Sequence, residues 1–170
     1  MKNVFKVIGL LIAGWTIFSC SISYKFNQSS IDYTKISSIS IKDFPNLAPN
    51  VYAPLAQQFT EALKDKYTRQ TKMRVLNDGG DLHIEGEITG YDFTPLAVSD
   101  NMYASQTRLT ITVRVRFSNK TKSEEDFEKN ISAKREFDNT STIPEVQDEL
   151  CDVIIKEIID IIFNETIAKW

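Results

Sequence analysis

Arg108–Phe117 reads RLTITVRVRF, and its alternation decides the kind of protein this is. Leu109, Ile111, Val113, Val115 and Phe117 fall on one side of an extended chain. Arg108, Thr110, Thr112, Arg114 and Arg116 fall on the other, because successive side chains of a strand point to opposite faces. A helical period of 3.6 residues would scatter the five apolar residues around an axis. The stretch therefore predicts a strand with one covered and one wet side, the pattern of an antiparallel sheet clad on a single face.

Working outward, DLHIEGEITGY (81–91) repeats the alternation, with Leu82, Ile84, Gly86, Ile88 and Gly90 inward and His83, Glu85, Glu87, Thr89 and Tyr91 outward. FEKNISAKREF (127–137) is a third such strand, reached through the polar SNKTKSEED. ISSISIK (36–42) predicts another, with Ile39 and Ile41 on one face. Asn77-Asp78-Gly79-Gly80 is a turn signal, since these residues tolerate positive φ.

Two segments supply cover for the apolar side. Leu55–Tyr67 carries Leu55, Phe59, Ala62, Leu63 and Lys66 at helical spacing. Pro144–Trp170 carries Val146, Leu150, Val153, Ile154, Ile158, Ile161, Ile162 and Phe163, with Thr142 as N-cap candidate and Glu145 favourable near the helix dipole. The fold class expected is α+β, a two-layer sandwich in the order β-α-β-β-β-α. It has a four-stranded, mainly antiparallel sheet with two helices packed on one face.

Lys2 and Lys6 precede an apolar run, Val7 to Phe18, of secretory length and too short to span a bilayer. Ile17-Phe18-Ser19-Cys20 resembles a bacterial lipobox. That resemblance implies a signal peptide over 1–19, and Cys20 as a lipidated N-terminus bearing a diacylglycerol and a third acyl chain. It also implies a tether over 20–34 and a domain over 35–170. Several acyl chains make attachment effectively permanent. Ser21, rather than Asp, after the cysteine suggests the outer membrane, and with no acidic run following, its periplasmic leaflet. An uncleaved anchor or ordinary secretion is the bland alternative.

The net charge of -3 includes Lys2 and Lys6, so the mature part is more acidic still, which argues against a general nucleic-acid partner. With Cys20 acylated, Cys151 stands alone in an apolar helical pattern and reads as a small buried hydrophobe. His83 is the one histidine, and no CxxC, HExxH, GxSxG or GxxxxGK[ST] occurs, so neither a catalytic site nor a metal site is indicated. Glu85 and Glu87 could be a carboxylate pair, but they are expected to face Arg108, Arg114, Arg116 or Lys134 across strands. The sequons at Asn27, Asn119, Asn130, Asn139 and Asn164 carry no weight in a bacterial lipoprotein.

Apolar residues also lie outside the periodic segments: Leu47, Val51 and Tyr52 in FPNLAPNVYAP, and Leu96, Val98, Met102 and Tyr103 in FTPLAVSDNMYAS. They mark either a contact surface or loops folded back as satellite core.

Four stretches together resemble the LptE-type family of lipopolysaccharide-assembly lipoproteins. These are SCSISYKF, SISIKDFPNLAPNVYAPLAQQFTEALKDKY, LHIEGEITGYDFTPLAV and VQDELCDVIIKEIIDIIFNETIAKW. The resemblance implies a protein that is no enzyme, holds no cofactor, and sits at the periplasmic side of the outer membrane. There it would plug an LptD-type β-barrel, assisting its assembly and the insertion of lipopolysaccharide. Arg108, Arg114, Arg116 and Lys134 are the candidate contacts to barrel carboxylates or lipopolysaccharide phosphates, arginine being suited to bidentate pairing. The rival readings are a lipoprotein module that binds a lipid or other envelope component alone, and a hydrolase built on His83, Glu85 and Glu87.

Overall fold

The computed structural model describes residues 33–50, 52–96 and 106–168. The signal segment 1–19, Cys20, Asn27, Val51, Val98, Met102, Tyr103 and Trp170 lie outside the described residues.

The elements run β1 (Ser38–Ile41), α1 (Leu55–Gln70), β2 (Arg74–Leu76), β3 (Leu82–Leu96), β4 (Gln106–Asn119), β5 (Phe127–Asp138) and α2 (Ile143–Phe163). The expected α+β sandwich is present, with one strand more than expected. The sheet has five strands in the order β2-β1-β3-β4-β5. β1 runs parallel to both β2 and β3, while β3, β4 and β5 form the antiparallel part. β2 is three residues long, too short for an alternation to register in the sequence.

Both helices contribute to one apolar core. Leu55, Phe59, Leu63 and Tyr67 descend α1 at four-residue spacing, and Cys151, Ile154, Ile155, Ile158, Ile159 and Ile162 do so on α2. Beneath them lie Ile39, Ile41, Leu82, Ile84, Ile88, Leu109, Ile111, Val113 and Val115. Val153, expected in the α2 stripe, is instead 38% exposed, because the helix turns its Cys151–Ile155–Ile158–Ile162 side to the sheet. α2 opens as the sequence indicates, with Thr142 and Glu145 forming a reciprocal capping box and proline in the first turn. The helix ends earlier than expected, at Phe163, and continues as a π-helical turn over Asn164–Ala168. Among the described residues no helix is long and apolar enough to cross a membrane.

Two irregularities reshape the sheet. Ile88 pairs with Val113 but Gly90 with Thr112, so Thr89 is an extra residue, a β-bulge. Beyond it the alternation inverts: Tyr91, expected outward, is 4% exposed in the core. The second irregularity is the passage from β2 to β3, in which residues 77–81 cross over β1. Gly79 takes φ +79°, and a Cβ on Gly80 would stand 2.4 Å from the Ser40 nitrogen and 2.7 Å from the Ile39 carbonyl carbon. Ser38 and Ser40, small residues, lie buried under the crossing, while Ile39 and Ile41 point into the core.

Asp81 closes the crossing. Its Oδ2 accepts from the Ser37 and Ser38 amides at 2.8 and 3.0 Å and from the Ser38 hydroxyl at 2.8 Å. The Ser37 backbone amide and the Ser38 hydroxyl are the main donors that hold this carboxyl below its ordinary range. A carboxyl depressed on folding stabilises the fold at neutral pH and loses that contribution as pH falls through and below about 4. Asp81→Asn is therefore expected to lower neutral stability by about 1 kcal/mol. It should also flatten the acid limb of a melting-temperature profile between about pH 5 and 3 relative to the parent. An unchanged acid limb would show that Asp81 is not the clamp.

Candidate docking face

The face of β3–β4–β5 turned away from the helices carries the predicted residues. Register places them in rows: Glu85, Arg116 and Glu128; Glu87, Arg114 and Asn130; Asp92, Thr110 and Lys134; Thr94, Arg108 and Glu136. Arg116 Nε reaches Glu85 at 2.9 Å, Arg114 reaches Glu87 at 2.8 Å and Glu128 at 3.9 Å, and Arg108 reaches Glu136 at 2.7 Å. The Arg116 guanidinium, with His83 second, holds the Glu85 carboxyl below the usual carboxylate range. Lys134 is exposed, and among the described residues no carboxylate lies within ion-pair distance of it.

The face is thus an interleaved lattice of both signs rather than a basic patch. Each exposed pair contributes only about 0–1 kcal/mol, so an arginine can exchange its internal carboxylate for one on a partner at little cost. The cross-strand pairing of Glu85 and Glu87 matches the sequence expectation, and the two carboxylates do not converge on a common point.

His83 links two neighbouring strands of the sheet. Its Nδ1 lies 2.7 Å from Ser40 Oγ and its Nε2 lies 3.4 Å from Glu85 Oε2. A serine, histidine and carboxylate in line is the arrangement of a hydrolase relay. Here the serine is 1% exposed beneath the crossing turn, and its Oγ is also 3.3 Å from the Leu82 carbonyl oxygen. No substrate carbonyl can approach it, so the line acts as a tie between β1 and β3.

The loop between β1 and α1 divides between the two sequence alternatives. Phe44 and Ala48 are buried and Tyr52 packs on the core, stacked 6.0 Å from Tyr91. The Tyr52 hydroxyl donates to Asp148 of α2, a bond that, with partial burial, pushes the phenol up to about 12. Among the described residues of this loop, Phe44, Ala48 and Tyr52 thus form satellite core, while Leu47 is left 62% exposed. Cys151 is buried as expected, and burial pushes its thiol up to about 11, far from a reactive thiolate. Between the helices a groove of about 510 Å³ is lined by Gln58, Glu61, Ala62, Asp65, Asp152 and Ile155, a carboxylate-rich wall unsuited to phosphates or acyl chains.

Comparison with known proteins decides the family. The model of the LptE family, described as lipopolysaccharide-assembly, matches residues 36–166, from Ile36, two residues before β1, through to the turn after α2. The chain belongs to the LptE lipopolysaccharide-assembly family. No curated protein matches it significantly. Solved structures share its fold at low identity. A protein from Xanthomonas campestris has TM-score 0.54 and 11% identity, covering 79% of this chain and 86% of that one. A hypothetical protein from Chlamydia trachomatis has TM-score 0.53 and 9% identity, covering 76% and 97%. A minor lipoprotein from Acinetobacter baumannii has TM-score 0.51 and 14% identity, covering 79% and 94%. The LptE match spans every element from β1 to α2, so the docking face and the helical layer both lie within it.

Sequence reasoning missed the Ser40–His83 tie, the Asp81 clamp and the Tyr52–Asp148 bond. The signal for the first two was the Gly79-Gly80-Asp81 run beside an Ser-Ile-Ser-Ile strand. Small residues alternate there where a chain must cross.

Proposed function

We propose that this LptE-family chain is an outer-membrane lipoprotein, acylated at Cys20 and held at the periplasmic face. It partners and plugs an LptD-type β-barrel, assisting the assembly of the barrel and the insertion of lipopolysaccharide. The family match over residues 36–166 carries this reading. The polar sheet face supports it physically, since the interior of a wide barrel is polar and accepts a charged, hydrogen-bonding plug. Arg108, Arg114 and Arg116 would trade their carboxylates for those of the barrel wall or for phosphates, and Lys134 brings a cation without a carboxylate beside it. The function asks nothing of the chain as a catalyst. The interhelical groove, with its acidic lining, offers no site to the rival lipid-binding module.

Depletion in the native host is expected to leave the barrel misassembled and to strip lipopolysaccharide from the cell surface. A correctly assembled barrel and normal surface lipopolysaccharide after depletion would refute the reading.

A further inference from the structure

β5 is an open edge of the sheet. It pairs with β4 on one side, and among the described residues no strand pairs with the other. Its twelve residues, FEKNISAKREFD, contain no proline. The register with β4 runs unbroken from the Gln106–Asp138 pair to the Phe117–Phe127 pair, so no bulge twists the edge away. Every second amide and carbonyl of such a strand points outward, a template that native sheets ordinarily blunt. Here only charged side chains guard it, and they stand above and below the sheet rather than across its margin. The helical layer lies on the face of the strand: Glu157 reaches Arg135 at 2.6 Å and Glu165 reaches Lys129 at 2.5 Å. Ile161, between these two acids on the same flank of α2, is only half-buried, as is Phe127 at the start of β5. Glu128, Asn130, Ser132 and Lys134 are exposed on the wet side.

We propose that Ser21–Phe26 of the same chain adds to this edge as a sixth, antiparallel strand. These residues lie outside the described ones, and their sequence, SISYKF, alternates Ile22, Tyr24 and Phe26 with Ser21, Ser23 and Lys25. The pattern matches the edge in one register. With Phe26 opposite Phe127, Tyr24 falls opposite Lys129 and Ile22 opposite Ile131 on the helical side. Lys25 then faces Glu128, Ser23 faces Asn130 and Ser21 faces Ser132 on the wet side. Lys25 is the one charge the segment brings, and the nearest cation to Glu128, Arg114, stands 3.9 Å away. A slip of one residue would turn the three apolar side chains to water. A slip of two would set Lys25 opposite Asn130 instead of a carboxylate.

The chain is long enough to reach. Tyr33–Ser37 enters at the end of the sheet where β5 begins: the Ser37 amide donates to the Asp81 carboxylate, and the Asp81 carbonyl accepts from Lys120, just past the end of β4. A sixth strand would lie four strand spacings from β1, about 19 Å. The seven residues from Phe26 to Tyr33 extend to about 23 Å. The register with Phe26 at the start of β5 is also the one that asks least of this reach. Docked so, the segment closes the open edge and holds Cys20 level with Ala133. Neither the barrel nor acylation enters the pairing.

The test uses the full-length protein as its native host processes it, purified into phospholipid nanodiscs, with amide hydrogen exchange read by mass spectrometry. In the parent, amides of β5 between Phe127 and Ser132 are expected to exchange at least about ten-fold more slowly than in the Ile22→Asp/Tyr24→Asp variant. Amides of β3 should be unchanged, which shows that the variant keeps its fold. Exchange at β5, rather than at the segment, is the readout, since a nearby membrane could shield the segment alone. Mild oxidation of Ser23→Cys/Asn130→Cys and of Tyr24→Cys/Lys129→Cys protein should give a disulfide within one chain in at least one of the two. Successive pairs of an antiparallel ladder alternate in type, so one of them has the closer spacing. Equal exchange at β5 in parent and variant, with no disulfide in either pair, would overturn the inference. A disulfide that joins two chains would overturn it as well, by giving the edge to the segment of a second copy.

Discussion

Replacing Gly80 by valine is expected to cost the domain about 3 kcal/mol, the upper end of what overpacking a filled site costs. The added Cβ would lie 2.4 Å from the Ser40 nitrogen and 2.7 Å from the Leu82 carbonyl oxygen. These are backbone atoms of β1, the strand being crossed, and of β3, the strand being entered, and they cannot rotate away as a side chain would. Relief requires lifting residues 77–81 off β1, which exposes Ser38 and Ser40 and breaks the Asp81 clamp. Gly79 is the control. A Cβ there meets nothing within 4 Å, but its φ of +79° strains any L residue. Gly79→Ala should therefore cost only about 1 kcal/mol. Urea denaturation of the two variants separates them; equal losses would mean that the crossing is not tightly closed.

That crossing marks the boundary of what the sequence makes legible. The three long antiparallel strands are long enough for a two-residue period to stand out, so RLTITVRVRF and its neighbours give the wet and dry faces almost residue by residue. The capped helix α2 is equally plain, with Thr142, Pro144 and Glu145 announcing its start. Of the parallel part only β1 is read, as the strand expected over 36–42; β2 escapes because it is three residues long, and the crossing that carries the chain from β2 to β3 leaves no periodic trace. Tyr91 is misplaced for a related reason. A single bulged residue, Thr89, flips every side chain after it, and nothing in GEITGY distinguishes a bulge from an unbroken strand. On the docking face the sequence gives positions but not partners. Whether Arg114 and Arg116 stand free or paired depends on the register of β3 against β4, which only the fold supplies.

The second large effect is expected from Arg114→Glu combined with Arg116→Glu. Each new carboxylate would stand directly opposite an existing one, Glu87 and Glu85, with Glu128 alongside. Like charges facing across strands cost up to about 1 kcal/mol each, so the variant should lose about 1–2 kcal/mol and keep its fold. Against a partner, the consequence is larger. Two arginines able to pair bidentately with carboxylate or phosphate become two repulsive groups, and like-charge juxtaposition in an interface costs several kcal/mol. Association with the barrel should weaken by at least about 100-fold. Lys156→Glu, on the exposed side of α2, is the matched control, since it changes a charge that lies 2.5 Å from Asp152 and away from the sheet.

Co-purification of the native outer-membrane barrel with the tagged, acylated chain tests the central claim that the polar sheet face seats this protein in its partner. A one-to-one complex with the parent and with the Lys156→Glu variant, absent with the Arg114→Glu/Arg116→Glu variant despite its retained cooperative unfolding, is the result predicted. A complex recovered in equal yield from all three would contradict it.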